Sequence, residues 1–400
     1  MNDIPLTPPK TPAISVAHER LAKLEGYLQS DPANPHLLAD TFEQALITGE
    51  FSRAQVHLNT AQSLSMDRQA WGFREASLLM ANRRFEEAGT ILMALARELG
   101  AHPVLEYNLA QIDFIGADYA ACRKRLLPWM SGAVETPIAD GDATALSLDN
   151  MRMLWLRSLH HLRALKEAWA WIEENKAVAL TPEANGVASM IALDVNQPEA
   201  ALRLSGQALL AMPTQVEAMV TQASLALAQR DAPKARELLG QVLERSPNEG
   251  RAWSALGFAG MLELRFDEAC KDFEKAVSLM PGHIGTWHGL GWAFVMQRDL
   301  SSARRAFEVA LELDRNFAES HGGLAVVLVM QRQTAAAQEH IERAIRLDRR
   351  AVSAGYAQAL LSGEAADAAA VQRLAHRLLG QRDAPLGGKM SQWLPPILRR

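Results

Sequence analysis

The chain has 400 residues, 48% of them apolar and 22% charged, with a formal net charge of −5. That apolar share supports a packed fold and excludes a disordered polyelectrolyte. The small negative charge argues against a nucleic-acid binder, which would carry a basic face. Alanine and leucine outnumber valine, threonine and tyrosine, which favours helix over strand.

The opening stretch MNDIPLTPPKTPAIS has prolines at 5, 8, 9 and 12 and neither the basic n-region nor the apolar run of a signal peptide. Residues 1–17 are expected to be a disordered lead, and AHERLAKLEGYLQSDP after them a lone leading helix. Apolar runs such as LAVVLVM from Leu324 fall far short of the ~20 residues that cross a bilayer. Membrane insertion is therefore not expected, and the expected location is the cytoplasm. Cys122 and Cys270 lie far apart in apolar helical stretches and read as buried small residues.

A period of 34 residues runs along the chain. Ala54, Ala88 and Cys122 keep it, with Phe51, Phe85 and Tyr119 each three residues ahead, which defines divergent units within 18–130. The next match, Leu165 with Ala168, comes 46 residues after Cys122. The surplus, SGAVETPIADGDATALSLDN, is rich in turn formers and reads as an inserted loop at 131–148. An array over 149–351 follows, regular from residue 182. There Ala201, Ala235, Ala269, Ala303 and Ala337 form one ladder, and Pro213, Pro247 and Pro281 another. The turns repeat as AQRD at 228, MQRD at 296 and MQRQ at 330. Residues 352–380 supply capping helices for the last unit. The tail 381–400 is apolar and basic, and its Trp393, Leu394, Ile397 and Leu398 read either as a docking peptide or as an extra strip on the cap.

Trp253, Leu256, Gly257, Ala269, Phe273, Ala276 and Pro281 form one complete pattern, with Gly260 where an aromatic is usual. Trp287, Leu290, Gly291, Phe294, Ala303, Phe307 and Ala310 form the next, with Arg315 in place of proline. These residues resemble the tetratricopeptide repeat, whose unit is a 34-residue helix–turn–helix. The resemblance implies an all-α, right-handed superhelical solenoid of about nine units with a C-terminal helical cap, built to bind protein or peptide partners. Some relatives hold a chaperone carboxylate through inner-face Lys, Asn and Arg. Here Arg251 is followed by Ser254, His288 and Gly289, so that clamp is absent.

No phosphate loop, G-x-S-x-G, H-E-x-x-H or Cys-x-x-Cys occurs, and no catalytic residue, cofactor or metal site is expected. His160 and His161 are adjacent on a helix and point apart. His288 and His321 could meet across neighbouring units near His283, but no carboxylate accompanies them at fixed spacing.

Function in such an array is expected on its concave face. With Trp287, Leu290, Gly291 and Phe294 on the seam, the opposite stripe is Gly285, His288, Trp292, Val295 and Met296. One step back it is Arg251, Ser254, Phe258, Met261 and Leu262; one step on it is Glu319, Gly322, Val326, Val329 and Met330. Earlier units add Met190, Leu193, Val220 and Leu227. An exposed stripe this apolar points to a groove for an apolar or amphipathic segment, with Phe258, Trp292 and Met330 as anchors and Glu183, Glu217, Arg251 and Glu319 on the rim. Two other readings compete: tight coiling buries part of the stripe, or the chain's own tail fills it. The expected role is a non-catalytic adaptor, scaffold or holding chaperone. The alternatives are a structural subunit of a bacterial secretion or surface-assembly machine, and a ligand-sensing regulator.

Overall fold

The 34-residue period resolves into two helices and two tight turns. The computed structural model describes residues 11–100, 102–133 and 142–381, and all regular structure among them is helical. The chain divides into two compact units, residues 1–168 and 169–400. The first contains α1 (Thr11–Ser30), α2 (Pro35–Ile47), α3 (Phe51–Ser63), α4 (Arg68–Ala81), α5 (Phe85–Leu99), α6 (Pro103–Ile115), α7 (Tyr119–Met130) and α8 (Asp142–His161), and the division falls within α9 (Leu165–Glu174). The second contains α10 (Pro182–Asp194), α11 (Pro198–Ala211), α12 (Val216–Ala228), α13 (Ala232–Arg245), α14 (Gly250–Leu262) and α15 (Phe266–Leu279). It continues with α16 (Ile284–Gln297), α17 (Leu300–Leu313), α18 (Ala318–Met330), α19 (Thr334–Leu347), α20 (Val352–Leu361) and α21 (Ala368–Leu379). Among the described residues each of these two units, taken by itself, is a run of helix pairs, the architecture of a helical repeat solenoid.

Two boundaries differ from the sequence expectation. Helix α1 begins at Thr11, inside the stretch expected as a disordered lead, because Pro12 is tolerated in a first turn whose N–H groups have no intrahelical partner. Helix α8 begins at Asp142, inside the expected loop. Residues 1–10, 134–141 and 382–400, and with them the tail anchors Trp393, Leu394, Ile397 and Leu398, lie outside the described residues.

The repeated turn sequence has a backbone cause. Arg230, Leu264, Arg298 and Arg332, 34 residues apart, all have positive φ, between 59° and 63°. Each ends a first helix with the next N–H closing back onto it, as Asp231 N does to Ala226 O at 2.9 Å and Asp299 N to Phe294 O at 3.0 Å. The aspartate then caps the second helix: Asp231 accepts from Lys234 N–H, and Asp299 from Ser302 N–H. The other turn is pinned by tryptophan. Trp253 Nε1 donates to Pro247 O and Trp287 Nε1 to Pro281 O, each at 2.8 Å, so the indole ties its helix to the loop that precedes it.

The core of residues 169–400 rests on one contact that changes its chemistry from unit to unit. Phe273 and Phe307, both fully buried, project from α15 and α17. A Cβ on Gly257 or Gly289 would lie 2.7 or 2.9 Å from the Phe273 ring, and one on Gly291 or Gly323 would lie 2.7 or 2.5 Å from the Phe307 ring. Each ring is thus clasped by glycines of the two first helices on either side. The equivalent ring position in the preceding unit is Leu239, and its clasping positions are Ala223 and Ala255. In the following unit they are Ile341, Ala325 and Ala357. In the first regular unit they are Ser205, Ser189 and Thr221, where Ser189 Oγ donates to Thr221 Oγ1 at 3.0 Å.

Beside Phe307 lies a partly buried histidine. Trp292 Nε1 donates to His288 Nε2 at 3.0 Å, and the imidazole sits edge-on to Phe307 and Phe317. One repeat earlier the same two positions are Ser254 and Thr286, hydrogen-bonded at 3.0 Å. Here they are His288 Nδ1 and Ser320 Oγ, both buried and making no hydrogen bond within the protein. Burial pulls the His288 pKa down to about 4, against a smaller opposing pull from Glu319.

Two outcomes follow from these contacts. Gly291→Ala with Gly323→Ala should destabilise the array by ~1–3 kcal/mol through overpacking, and adding Phe307→Leu, the solution of the preceding unit, should recover a large part of it. Urea melts of the double and triple variants check this; additive losses would refute the clasp. For His288 the unfolded state, with a pKa near 6.5, binds the proton more tightly than the fold does, so stability is full above pH 6.5 and falls as pH drops toward 4. Between pH 7 and 4.5 this residue should remove ~2–3 kcal/mol, and His288→Leu should flatten that part of the profile.

Candidate functional site

First helices of successive units line one face of the array, and their side chains at three positions per helix decide whether that face is open. Over α10, α12 and α14 it is open. A cavity of about 500 Å³ lies there, with Met190, Leu193, Val220 and Leu227 on its walls and Phe258, Met261 and Leu262 at one side. Phe258 stands edge-on to Phe273 with centroids 4.9 Å apart, so the aromatic that presents the surface rests on the clasped ring of the core. It remains 43% exposed, and Leu262 39%.

The polar part of the lining is small and largely self-satisfied. Arg251, at the start of α14, reaches past α12 to Asp194 at the end of α10, donating Nη1 to Oδ1 at 3.3 Å and Nη2 to Oδ2 at 3.0 Å. Both side chains are about a quarter exposed, which places this two-point pair between surface and interior. Ser254 shares its hydroxyl with Thr286, whose N–H in turn donates to His283 Nδ1 at 3.2 Å. Thr221 and Ser224 complete the polar lining on α12, and Met280 enters from the loop before α16. The result is an apolar trough with a few fixed polar groups, the composition of a binding site for an apolar segment.

Further along, the sequence stripe does not form a groove. Val326 is fully buried and Val295 nearly so, both within a core cluster against which Trp292, Val329 and Met330 pack. Trp292 meets Tyr356 of α20 at 6.2 Å and Phe307 at 6.1 Å, closing the face over α18. His288 lies partly buried beside them with its Nδ1 buried, while Met296 is 48% exposed without lining the cavity. The cause is the approach of α18 to α20: a Cβ on Gly322 would lie 2.4 Å from Ala354 N. Of the expected rim, Glu319 is committed elsewhere, accepting Val352 N–H at 2.8 Å and Ser353 N–H at 2.9 Å to cap α20. Glu183 and Glu217 stand in the first turns of α10 and α12.

Asp194, Thr221, Ser224 and Met280 have no place in the sequence-derived stripe, and His283 entered only as a neighbour of His288 and His321. A 34-residue step from Phe258 reaches Ser224 and one from Ala228 reaches Asp194, so a stripe chosen for apolarity passes over them. Met280 and His283 sit in an interhelical loop, where helical periodicity gives no signal. The histidines expected to meet do not. His321 Nδ1 faces His340 Nδ1 at 3.0 Å and its Nε2 lies 3.0 Å from Arg315 O, while His288 bonds to Trp292. Among the described residues no three His, Cys, Asp or Glu side chains are placed to hold a metal ion. Cys122 and Cys270 are buried, which pushes both thiols up to about 11, and Ser158 Oγ donates to Cys122 Sγ at 3.1 Å.

A profile of the tetratricopeptide repeat matches residues 192–257. No curated protein matches the chain. Among solved structures, the chain is similar to residues 41 to the end of MamA from Desulfovibrio magneticus RS-1, with 21% identity, 42% of this chain and 95% of that one covered, and a TM-score of 0.36. It is similar to YrrB, described as a TPR protein with an unusual peptide-binding site, with 20% identity, 49% and 97% covered, and a TM-score of 0.36. It is also similar to a chain of the APC/C hetero-tetramer Cut9–Hcn1, with 13% identity, 88% and 80% covered, and a TM-score of 0.47. The profile match lies in the second half of the chain, and the same two-helix unit returns at 34-residue steps around it, the helical repeat that the tetratricopeptide resemblance implies.

Proposed function

We propose that the chain is a non-catalytic protein-interaction adaptor that holds an apolar or amphipathic segment of a partner in the cavity over α10, α12 and α14. The observation that carries this reading is the cavity itself: an open apolar trough of about 500 Å³ on a face that is filled by the chain's own side chains further along. A helix ~11 Å across with a 5.4 Å pitch encloses roughly 500 Å³ per turn. The site therefore suits one turn's worth of anchor side chains rather than a whole domain. Met190, Met261 and Met280 give it adaptable walls. Phe258 gives it a rigid anchor, and Arg251 with Asp194 a polar register mark.

The test uses the full chain as bait in native lysate beside a Phe258→Ser/Leu262→Ser variant. Both side chains are substantially exposed, so the helical circular dichroism and the melting temperature should hold. Partners retained by the wild type should be lost from the variant, with affinity down about 100-fold for two lost anchors. A Leu210→Ser control on α11, where Leu210 is 89% exposed, should leave them in place. The same partners on every bait would remove function from this cavity.

A further inference from the structure

We propose that the cavity's occupant in the absence of a partner is the chain's own tail, residues 386–400, which makes the tail a competitor in cis. This rests on the cavity being the binding site, and it adds how that site is regulated.

The topology delivers the tail to the right edge. In each unit the second helix hands the chain back to the first-helix layer at the end where the next first helix begins. Helix α15 ends at Leu279, and Met280 and His283, just beyond it, line the cavity. Helices α20 and α21 follow the same order, so the chain leaving α21 at Leu379 stands at the edge of the layer that carries the cavity. From the place where a next first helix would begin, at the exit of α21, back to α14 there are four first-helix steps, ~32–40 Å at ~8–10 Å each. Residues 382–392 lie between the described chain and Trp393, and eleven residues span up to ~36–40 Å. Tethering at that length supplies an effective concentration on the order of millimolar.

The chemistry fits as well as the reach. The segment WLPPIL places two apolar pairs, Trp393 with Leu394 and Ile397 with Leu398, on either side of two prolines. Proline fixes φ and cannot continue a helix, so this segment loses little entropy on binding in an extended form. The trough offers Leu193, Leu227 and Phe258 to such anchors. Residues 382–400 carry Arg382, Lys389, Arg399 and Arg400 against a single acidic residue, Asp383. In the trough Asp194 is paired with Arg251, so its acidic excess comes from Glu183 and Glu217, in the first turns of α10 and α12. An apolar segment with basic flanks meets an apolar trough with an acidic border.

The decisive experiment adds a fluorescein-labelled synthetic peptide of residues 386–400 to full-length proteins and reads anisotropy. The proteins are wild type, Trp393→Ser/Leu398→Ser, and the same tail variant carrying Phe258→Ala in addition. The peptide should bind the tail variant at least ten-fold more tightly than wild type, whose cavity is occupied, and Phe258→Ala should abolish that gain. Circular dichroism confirms the fold of all three. Equal affinity for wild type and tail variant, or no binding to the tail variant, overturns the proposal. A wild-type dimer in sedimentation that the tail substitutions dissolve also overturns it, placing the tail in a second copy. In each of those cases loss of lysate partners from the Phe258→Ser/Leu262→Ser bait still decides the groove reading separately.

Discussion

A large side chain from each of the second helices α13, α15, α17 and α19, gripped by small residues of the two first helices beside it, sets the spacing of most of residues 169–400. Phe273 between Gly257 and Gly289, and Phe307 between Gly291 and Gly323, are the tight form of this contact. Leu239 between Ala223 and Ala255 is the looser form. A glycine inside a helix costs ~1 kcal/mol relative to alanine in propensity. Burial of a phenylalanine ring against it offsets that cost, since losing such a ring costs ~3–5 kcal/mol. Each unit stacks only on its neighbours, so the contact is repeated wherever the array continues.

The same contact sets the inner face. Phe258 rests edge-on against the clasped Phe273 and is held up into the open trough. Trp292, one repeat later, packs against the clasped Phe307 and reaches Tyr356 across α18. Equivalent positions therefore serve opposite ends: one offers surface, the other removes it. The apolar face that remains open belongs to α10, α12 and α14, and the Arg251–Asp194 pair spans it.

Much of the fold was legible because a period needs only residue size to be seen. The alanine ladders, the prolines two residues beyond Ala211, Arg245 and Leu279, and the AQRD-type turns each reported a real helix end. The site was legible only in angle. A 34-residue translation puts Phe258, Trp292 and Val326 at the same position on successive first helices. It does not give the distance between neighbouring first helices, and this distance decides exposure. Gly322 brings α18 so close to α20 that Val326 is sealed. Met280 and His283 come from a loop and Asp194 from a polar step in the stripe, so neither periodicity nor apolarity finds them.

In the proposed binding mode a partner segment occupies the open trough and leaves the filled part of the face untouched. Methionine-methyl NMR reads both regions in one spectrum, because Met190, Met261 and Met280 line the trough while Met330 packs against the core beyond it. During titration with a captured partner segment, the first three methyl signals should shift and broaden while Met330 stays fixed. Shifts at Met330 and Met296 with Met190, Met261 and Met280 unmoved would contradict the account.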